Sequence, residues 1–82
     1  MQGQVVLSKA GKDSGSFYAI MLEDGDFAYI ADGRLRKIEK PKRKSIKHLA
    51  STKTVLTQEE YETNSRLRAA LSKFNNSERG RE

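Results

Sequence analysis

Cysteine is absent from the 82 residues, so disulfide bonds and thiolate metal sites are excluded. Histidine occurs once, as His48, so a metal site would have to be built from carboxylates, and these are scattered along the chain. No stretch approaches the ~20 apolar residues that a membrane helix needs. The first residues also lack a basic segment followed by a long apolar run, so we expect neither a signal peptide nor a membrane span.

Sequence motifs of catalysis are missing as well. Gly11 and Gly15 do not belong to a GxGxxG or GxxxxGK[ST] phosphate loop. No serine lies in a nucleophile elbow, and no pair of acids is placed for general acid–base chemistry. We therefore expect no enzyme, no catalytic residue, no metal and no cofactor.

The first half of the chain has the pattern of short β-strands, rich in β-branched and aromatic residues. Asp24-Gly25 indicates a hairpin with a type I′ turn, which needs positive φ at both central residues. Asp32-Gly33 repeats this signal and predicts a further strand after it, with Arg34 and Arg36 on one face. The predicted strands cover residues 3–8, 17–23, 27–31, 34–40 and 42–49.

Apolar side chains indicate which faces of these strands are buried. In the last strand we expect Ile46 and Leu49 to turn inward. A barrel of this size has a thin core, so Phe17, Phe27 and Tyr29 are expected in it, with stacking on unpaired bases as the alternative. Among the aromatic residues of this half, Tyr18 is the one that we expect to face outward.

The composition changes after Ala50. Thr57-Gln58-Glu59-Glu60 has the form of a capping box, which predicts a helical turn. Beyond it, Thr63 or Asn64 is expected to cap an amphipathic helix that docks on its own barrel or on a partner. The apolar residues of that helix recur at helical spacing: Leu67, Ala70, Leu71 and Phe74. We therefore divide the chain into a barrel (1–50), a helical segment (51–76) and a polar, frayed tail (77–82).

Positive charge is concentrated in one segment. Residues 34–48 hold eight cations against one acid, Glu39, a net +7, so the rest of the chain sums to −2 of the total +5. This pattern is typical of a surface for a polyanion, and a lysine-protected edge strand is the alternative. Arginine can stack on bases and bind phosphate with two hydrogen bonds. The cations are Arg34, Arg36, Lys37, Lys40, Lys42, Arg43, Lys44 and Lys47.

The loop over residues 9–15 is a second candidate for phosphate contacts. Lys9 and Lys12 add charge, and the glycines let backbone N–H groups approach a phosphate closely. An ordinary connecting loop is the alternative. His48 could contact a phosphate or serve as a packing and hydrogen-bonding residue.

Taken in order, these segments resemble a known family. Residues 3–15 are similar to the KOW motif, a β-hairpin with alternating apolar residues and a Gly-Lys-Asp-x-Gly loop. The Ala31-Asp32-Gly33 turn, the basic run after Pro41 and the Lys47-His48-Leu49 ending resemble the fourteen-e family of large-subunit ribosomal proteins of archaea and eukaryotes. They resemble more closely the short, stand-alone bacterial KOW proteins related to that family. The resemblance covers about residues 3–50.

The resemblance implies a mainly β fold, a five-stranded SH3-like barrel that binds ribosomal RNA or a ribosome-associated RNA. We expect a C-terminal α-helix after the barrel, a monomer, a cytoplasmic location and possible contact with the ribosome or its proteins. Lys40 joins the candidate residues from the charge pattern alone. The other RNA contacts are implied at Lys9, Lys12, Arg34, Arg36, Lys37, Lys42, Arg43, Lys44, Lys47 and His48.

Three questions stay open from the sequence. From residue 51 the chain departs from the long helical extension of the ribosomal protein, so both a permanent ribosomal component and a transient binder are compatible with it. DNA binding is not distinguished from RNA binding by charge, because counterion release is common to both. The main alternative function is a protein-interaction module that uses the barrel and the C-terminal helix.

Overall fold

The computed structural model describes residues 1–12 and 14–80, and for residues 76–80 it describes the backbone alone. The sheet is antiparallel, with the strand order β4-β3-β2-β1-β5. This five-stranded, barrel-like sheet followed by one C-terminal helix confirms the expected fold class. The elements are β1 (Gln4–Ser8), β2 (Phe17–Asp24), β3 (Phe27–Ala31), β4 (Lys42–Ser45), β5 (Leu49–Val55), α1 (Asn64–Gly80) and 3₁₀ turns at Ile46–His48 and Glu59–Tyr61.

The sheet buries both of its faces, because its central strands are apolar at successive positions. Tyr18, which we expected to face outward, is 3% exposed, so that expectation is wrong. The strand alternation places Tyr18 on the same face as Ile20, opposite Val6 of β1. One buried cluster, the inner cluster, contains Val6, Tyr18, Ile20, Ala28, Ile30 and Leu49. The other, the helix-side cluster, contains Val5, Ala19, Ala31, Leu56, Leu67 and Leu71.

Residues 34–40, expected as a strand, form a loop instead. The Asp32 carboxylate turns back and accepts hydrogen bonds from the backbone N–H groups of Arg34 and Arg36, each at 2.9 Å. The Arg36 carbonyl in turn accepts from the N–H groups of Asp32 and Gly33. Because these backbone groups are satisfied within the loop, they do not form a strand ladder. On the side of β3 away from β2, the pairing strand is β4, which starts directly after Pro41.

The β2–β3 hairpin forms where Asp24-Gly25 predicts it, but with a different turn. Its central residues are Gly25 and Asp26, and Gly25 has a φ of 61° whereas Asp26 does not have a positive φ. Positive φ at the first central residue alone is the pattern of a type II′ turn rather than type I′. Farther along, Leu49 is buried as expected, whereas Ile46 is 38% exposed because it lies in the 3₁₀ turn before β5.

The fifth strand runs past residue 50, where we expected the barrel to end. β5 pairs with β1 and continues to Val55, so that boundary lies inside a strand. Beyond it the capping box at Thr57 is confirmed. The Thr57 N–H donates to the Glu60 carboxylate at 2.9 Å, and the Glu60 N–H donates to the Thr57 hydroxyl at 3.3 Å. The structure formed there is a 3₁₀ turn.

Helix α1 docks on its own sheet. Thr63 caps it by accepting from the Arg66 N–H at 3.1 Å. Leu67 and Leu71 are fully buried in the helix-side cluster, which stabilises the docking by about 1.5–3 kcal/mol for each side chain. The Phe74 ring also packs on Phe17, with 5.4 Å between ring centroids. The apolar stripe of the helix is therefore part of the core and is not a docking face for a partner.

The helical backbone continues to Gly80, beyond residue 77, where a frayed tail was expected; residues 81 and 82 lie outside the described residues. In the described part of the chain, no helix is long and apolar enough to cross a membrane.

Candidate nucleic-acid interface

Residues 32–41, the basic loop, are held in place by the first residue of α1. The Asn64 side-chain oxygen accepts a hydrogen bond from the Ile38 N–H at 2.8 Å, and its amide nitrogen donates to the Glu39 carboxylate at 2.6 Å. Gly33 lies against the same helix start, because a Cβ added there would be 2.2 Å from the Asn64 carbonyl oxygen. Asp32 and Asn64 thus fix the loop from both sides.

Glu39 is the single acid of the basic segment, and its carboxylate accepts a hydrogen bond from Asn64 at the start of α1. The hydrogen bond from Asn64 lowers the pKa of Glu39 below its ordinary value, and smaller contributions come from a backbone hydrogen bond at Glu39 and from the nearby Lys37. Glu39 therefore stays a carboxylate at neutral pH, bound to Asn64.

The basic loop and β4 form a concave surface, the basic groove, with a volume of about 480 Å³. Five of the seven residues that line it are cations, and none is acidic. A concave surface lined by one sign of charge concentrates the electrostatic potential and attracts counter-ions. The lining residues are Leu35, Arg36, Lys37, Lys40, Pro41, Lys42 and Arg43.

Arg43 connects this groove to the aromatic residues of β3. It lies opposite Tyr29 in the β3–β4 pairing, and its guanidinium carbon is 3.7 Å from the centroid of the Phe27 ring. Contact with the ring restricts the side chain and adds a cation–π attraction. Phe17 packs against the helix-side cluster, as expected, whereas Phe27 and Tyr29, also expected in the core, are half-buried on this face of the sheet and belong to neither buried cluster.

Lys44, expected as a phosphate contact, differs from its neighbours in β4 by its position on the sheet. It lies opposite Ala28 on the inner face of the sheet and is only 9% exposed. Its ammonium group donates a hydrogen bond to the Ala10 carbonyl at 2.7 Å. Lys44 therefore secures the loop that follows β1, and little of its side chain is exposed.

The other expected RNA contacts lie outside the groove. Lys9 and His48 are neighbours, since the Lys9 N–H donates to the His48 carbonyl at 2.9 Å, and both side chains are exposed. Lys12 is exposed on the loop that Lys44 secures. Lys47 is exposed and lines a separate hollow with Asp26.

Arg34 and Arg36, expected on one strand face, diverge because the segment is a turn. Arg36 lines the basic groove, whereas Arg34 lines a different cavity of about 230 Å³ on the helix side. Arg68 of α1 lines that second cavity as well. The sequence reasoning did not select Arg68, because a single cation on a polar helix face gives no signal of its own.

Leu35 and Pro41 were also not selected as functional residues, although both line the groove. Among the described side chains, those of residues 1–12 and 14–75, no three of His, Cys, Asp or Glu are grouped so that they could hold a metal ion. The chemistry of the groove is therefore that of cations beside apolar side chains. Comparison with known proteins adds no relative: no family model matches this sequence, and no curated protein matches it.

Proposed function

We propose that this protein binds RNA through the basic groove. The observation that supports the proposal best is that five cations of one continuous segment, the basic loop and the start of β4, line one concave surface whose lining contains no acid. Each phosphate that such cations neutralise releases condensed counterions, which is the main source of affinity for nucleic acids. Because Asn64 and Asp32 fix the basic loop, its backbone needs little further ordering on binding.

The resemblance of residues 3–50 to KOW proteins supports RNA, and ribosomal RNA in particular, as the ligand. The protein would then act in the cytoplasm as a ribosome-associated factor. The alternative of a protein-interaction module needs another surface than the Leu67/Leu71 stripe, because both side chains lie in the core.

The binding test compares two double variants of equal charge. Lys37→Glu/Lys40→Glu changes the groove, and Lys53→Glu/Lys73→Glu changes two exposed lysines elsewhere. With a labelled RNA hairpin in an anisotropy titration, we expect the groove variant to lose roughly 10–100-fold in affinity and the control to lose much less. Equal losses would mean that affinity follows net charge alone and would contradict the assignment to the groove.

A DNA hairpin of the same sequence distinguishes the nucleic acids. RNA that binds more tightly than DNA supports the proposal, and DNA that binds equally well contradicts it.

The ribosomal part of the proposal is tested in cells. The tagged protein is crosslinked, the recovered RNA is sequenced, and a gradient profile is recorded in parallel. We expect enrichment of a large-subunit RNA segment and co-migration with ribosomal particles. Little RNA, with the protein at the top of the gradient, would favour the protein-interaction module.

A further inference from the structure

Leu35 lies at the apex of the basic loop and is 79% exposed. The two backbone N–H groups that Asp32 binds belong to the residues on either side of it, Arg34 and Arg36, so the turn holds Leu35 away from the core. A single exposed leucine is ordinary on a protein surface. This one lines a groove whose other residues are five cations and a proline. Cations alone are sufficient to contact phosphates. The apolar part of the lining therefore indicates a ligand group other than a phosphate.

The planar guanidinium group of Arg43 also belongs to the lining of the basic groove. Arg43 covers the Phe27 ring at 3.7 Å and is itself exposed, so the side of the guanidinium away from Phe27 faces solvent. Stacking on an arginine plane is one of the ways in which proteins hold unpaired bases. Tyr29 lies opposite Arg43, and the exposed Leu22 lies opposite Tyr29, so apolar surface continues along this face of the sheet.

We propose that the basic groove holds an unpaired nucleotide of RNA, with its base between Leu35 and the Arg43–Phe27 stack and its phosphates on the surrounding lysines. The inference rests on the proposed RNA binding and names the class of RNA: a loop, bulge or single strand. In a continuous A-form duplex the bases are stacked inside, and only phosphates and sugar hydroxyls are readily reached. A volume of about 480 Å³ also lies in the range of pockets that enclose small ligands, roughly 300–1,000 Å³.

The test compares a duplex that has a one-nucleotide bulge with the same duplex fully paired, in which the opposite strand carries one more nucleotide and therefore one more phosphate. The parent protein is expected to bind the bulged RNA roughly tenfold more tightly, since stacking contributes that much or more for each base. Leu35→Ser is expected to remove most of this preference, because it lowers the affinity for the bulged RNA far more than the affinity for the paired duplex. Arg43→Lys, which keeps the charge but not the plane, is expected to do the same.

The matched control is Val55→Ser, another exposed apolar residue, which lies at the end of β5 and not in the groove lining. It is expected to keep the preference for the bulge. A fluorescent adenine analogue at the bulge gives a direct readout, because its emission falls when it stacks and should fall less with Arg43→Lys.

Two results would overturn the inference and leave the RNA-binding proposal standing. One is equal, salt-dependent binding of the bulged and paired RNAs by the parent protein. The other is an equal loss for both RNAs in Leu35→Ser. Absence of binding to either RNA would instead overturn both proposals, so the two failures are distinguishable.

Discussion

Within β4, the Lys44 side chain points to the inner face of the sheet while Arg43 points to the outer one. The ammonium of Lys44 satisfies the Ala10 carbonyl, so its charge serves the loop after β1 rather than a ligand. Lys37 and Lys40 of the basic groove have the same charge as Lys44, but their side chains are exposed. Position in the strand, and not residue type, decides which cation can meet a phosphate.

Lys44→Met is expected to lower the free energy of unfolding by about 1–3 kcal/mol, because the Ala10 carbonyl loses its charged donor in a partly buried place. Chemical denaturation measures this. Lys47→Met, at an exposed position nearby, removes the same charge and is expected to stay within about 0.5 kcal/mol of the parent. Equal stability of the two variants would show that the Lys44 hydrogen bond does not matter for the fold.

Residue by residue, the sequence predicts which segment is basic but not which of its cations points inward. Lys42, Arg43 and Lys44 follow one another, so the alternation that usually separates an inner from an outer face is missing. Tyr18 was misplaced for the same reason, since it stands in a run that is apolar on both sides. Long-range pairing with β3 and β1 decides both orientations.

Helix α1 and the basic loop meet at Gly33, where the backbones are too close for a side chain. Gly33→Ala is expected to destabilise the protein by at least about 1 kcal/mol more than Gly15→Ala. Both glycines have positive φ, but an added Cβ meets nothing within 4 Å at Gly15, so the difference isolates the contact with the helix. Thermal unfolding of the two variants measures it, and equal melting temperatures would contradict the close approach.

Asn64→Ala is expected to raise the pKa of Glu39 towards its ordinary value, because the hydrogen bond from Asn64 is the largest cause of the lowering. Because the pKa of Glu39 is lowered in the folded state, its carboxylate stabilises the fold at pH values above the pKa that it has in the unfolded state. That contribution is lost as the pH falls through the folded pKa. An NMR titration of the Glu39 carboxyl measures the shift.

The Ile38 amide, which loses its acceptor in the same variant, should exchange faster with solvent. Ser65→Ala, the next residue along α1, is the control and should change neither quantity. A Glu39 pKa that is unaltered in Asn64→Ala would mean that the contact does not persist in solution.

At the scale of elements, local patterns predicted those elements whose hydrogen bonds are local. The capping box at Thr57 and the helix from Thr63 follow from sequence spacing, and both formed. The strand predicted at residues 34–40 does not form, because the Asp32 side chain accepts hydrogen bonds from two of its backbone N–H groups. The pattern of apolar residues does not reveal this competition. β5 was cut short because its outward residues are polar and its partner, β1, lies more than forty residues away.

The affinity of the whole molecule for RNA is expected to depend on salt. The logarithm of the binding constant should fall linearly with the logarithm of salt concentration, by about 0.7 for each phosphate contact on a single strand. Lys37→Glu/Lys40→Glu should make that slope shallower by about 1.4, the share of two contacts. Lys53→Glu/Lys73→Glu should leave it unchanged, and a slope that changes equally in both would contradict a localised interface.

The sequence predicted a polyanion surface from charge, but the shape of that surface required the fold. Eight cations in fifteen residues give no indication that five of them would surround one groove while Arg34 and Lys44 turn elsewhere. The separation of the groove cations from Arg34 and Lys44 arises from the Asp32 turn, from the strand alternation of β4 and from the docking of α1. The Asp32 turn is local, but the pairing of β4 with β3 and the docking of α1 depend on contacts between residues farther apart in the chain.

The anchoring of the basic loop by Asn64 also sets an order of events in time. Ribosomes make the chain from its N-terminus, so the cations of the loop leave the exit tunnel before Asn64 and the leucines that dock the helix. Until that later segment emerges, the loop lacks the hydrogen bonds to Ile38 and Glu39. A newly made molecule thus acquires its finished groove only after the start of α1 has emerged and bound the basic loop.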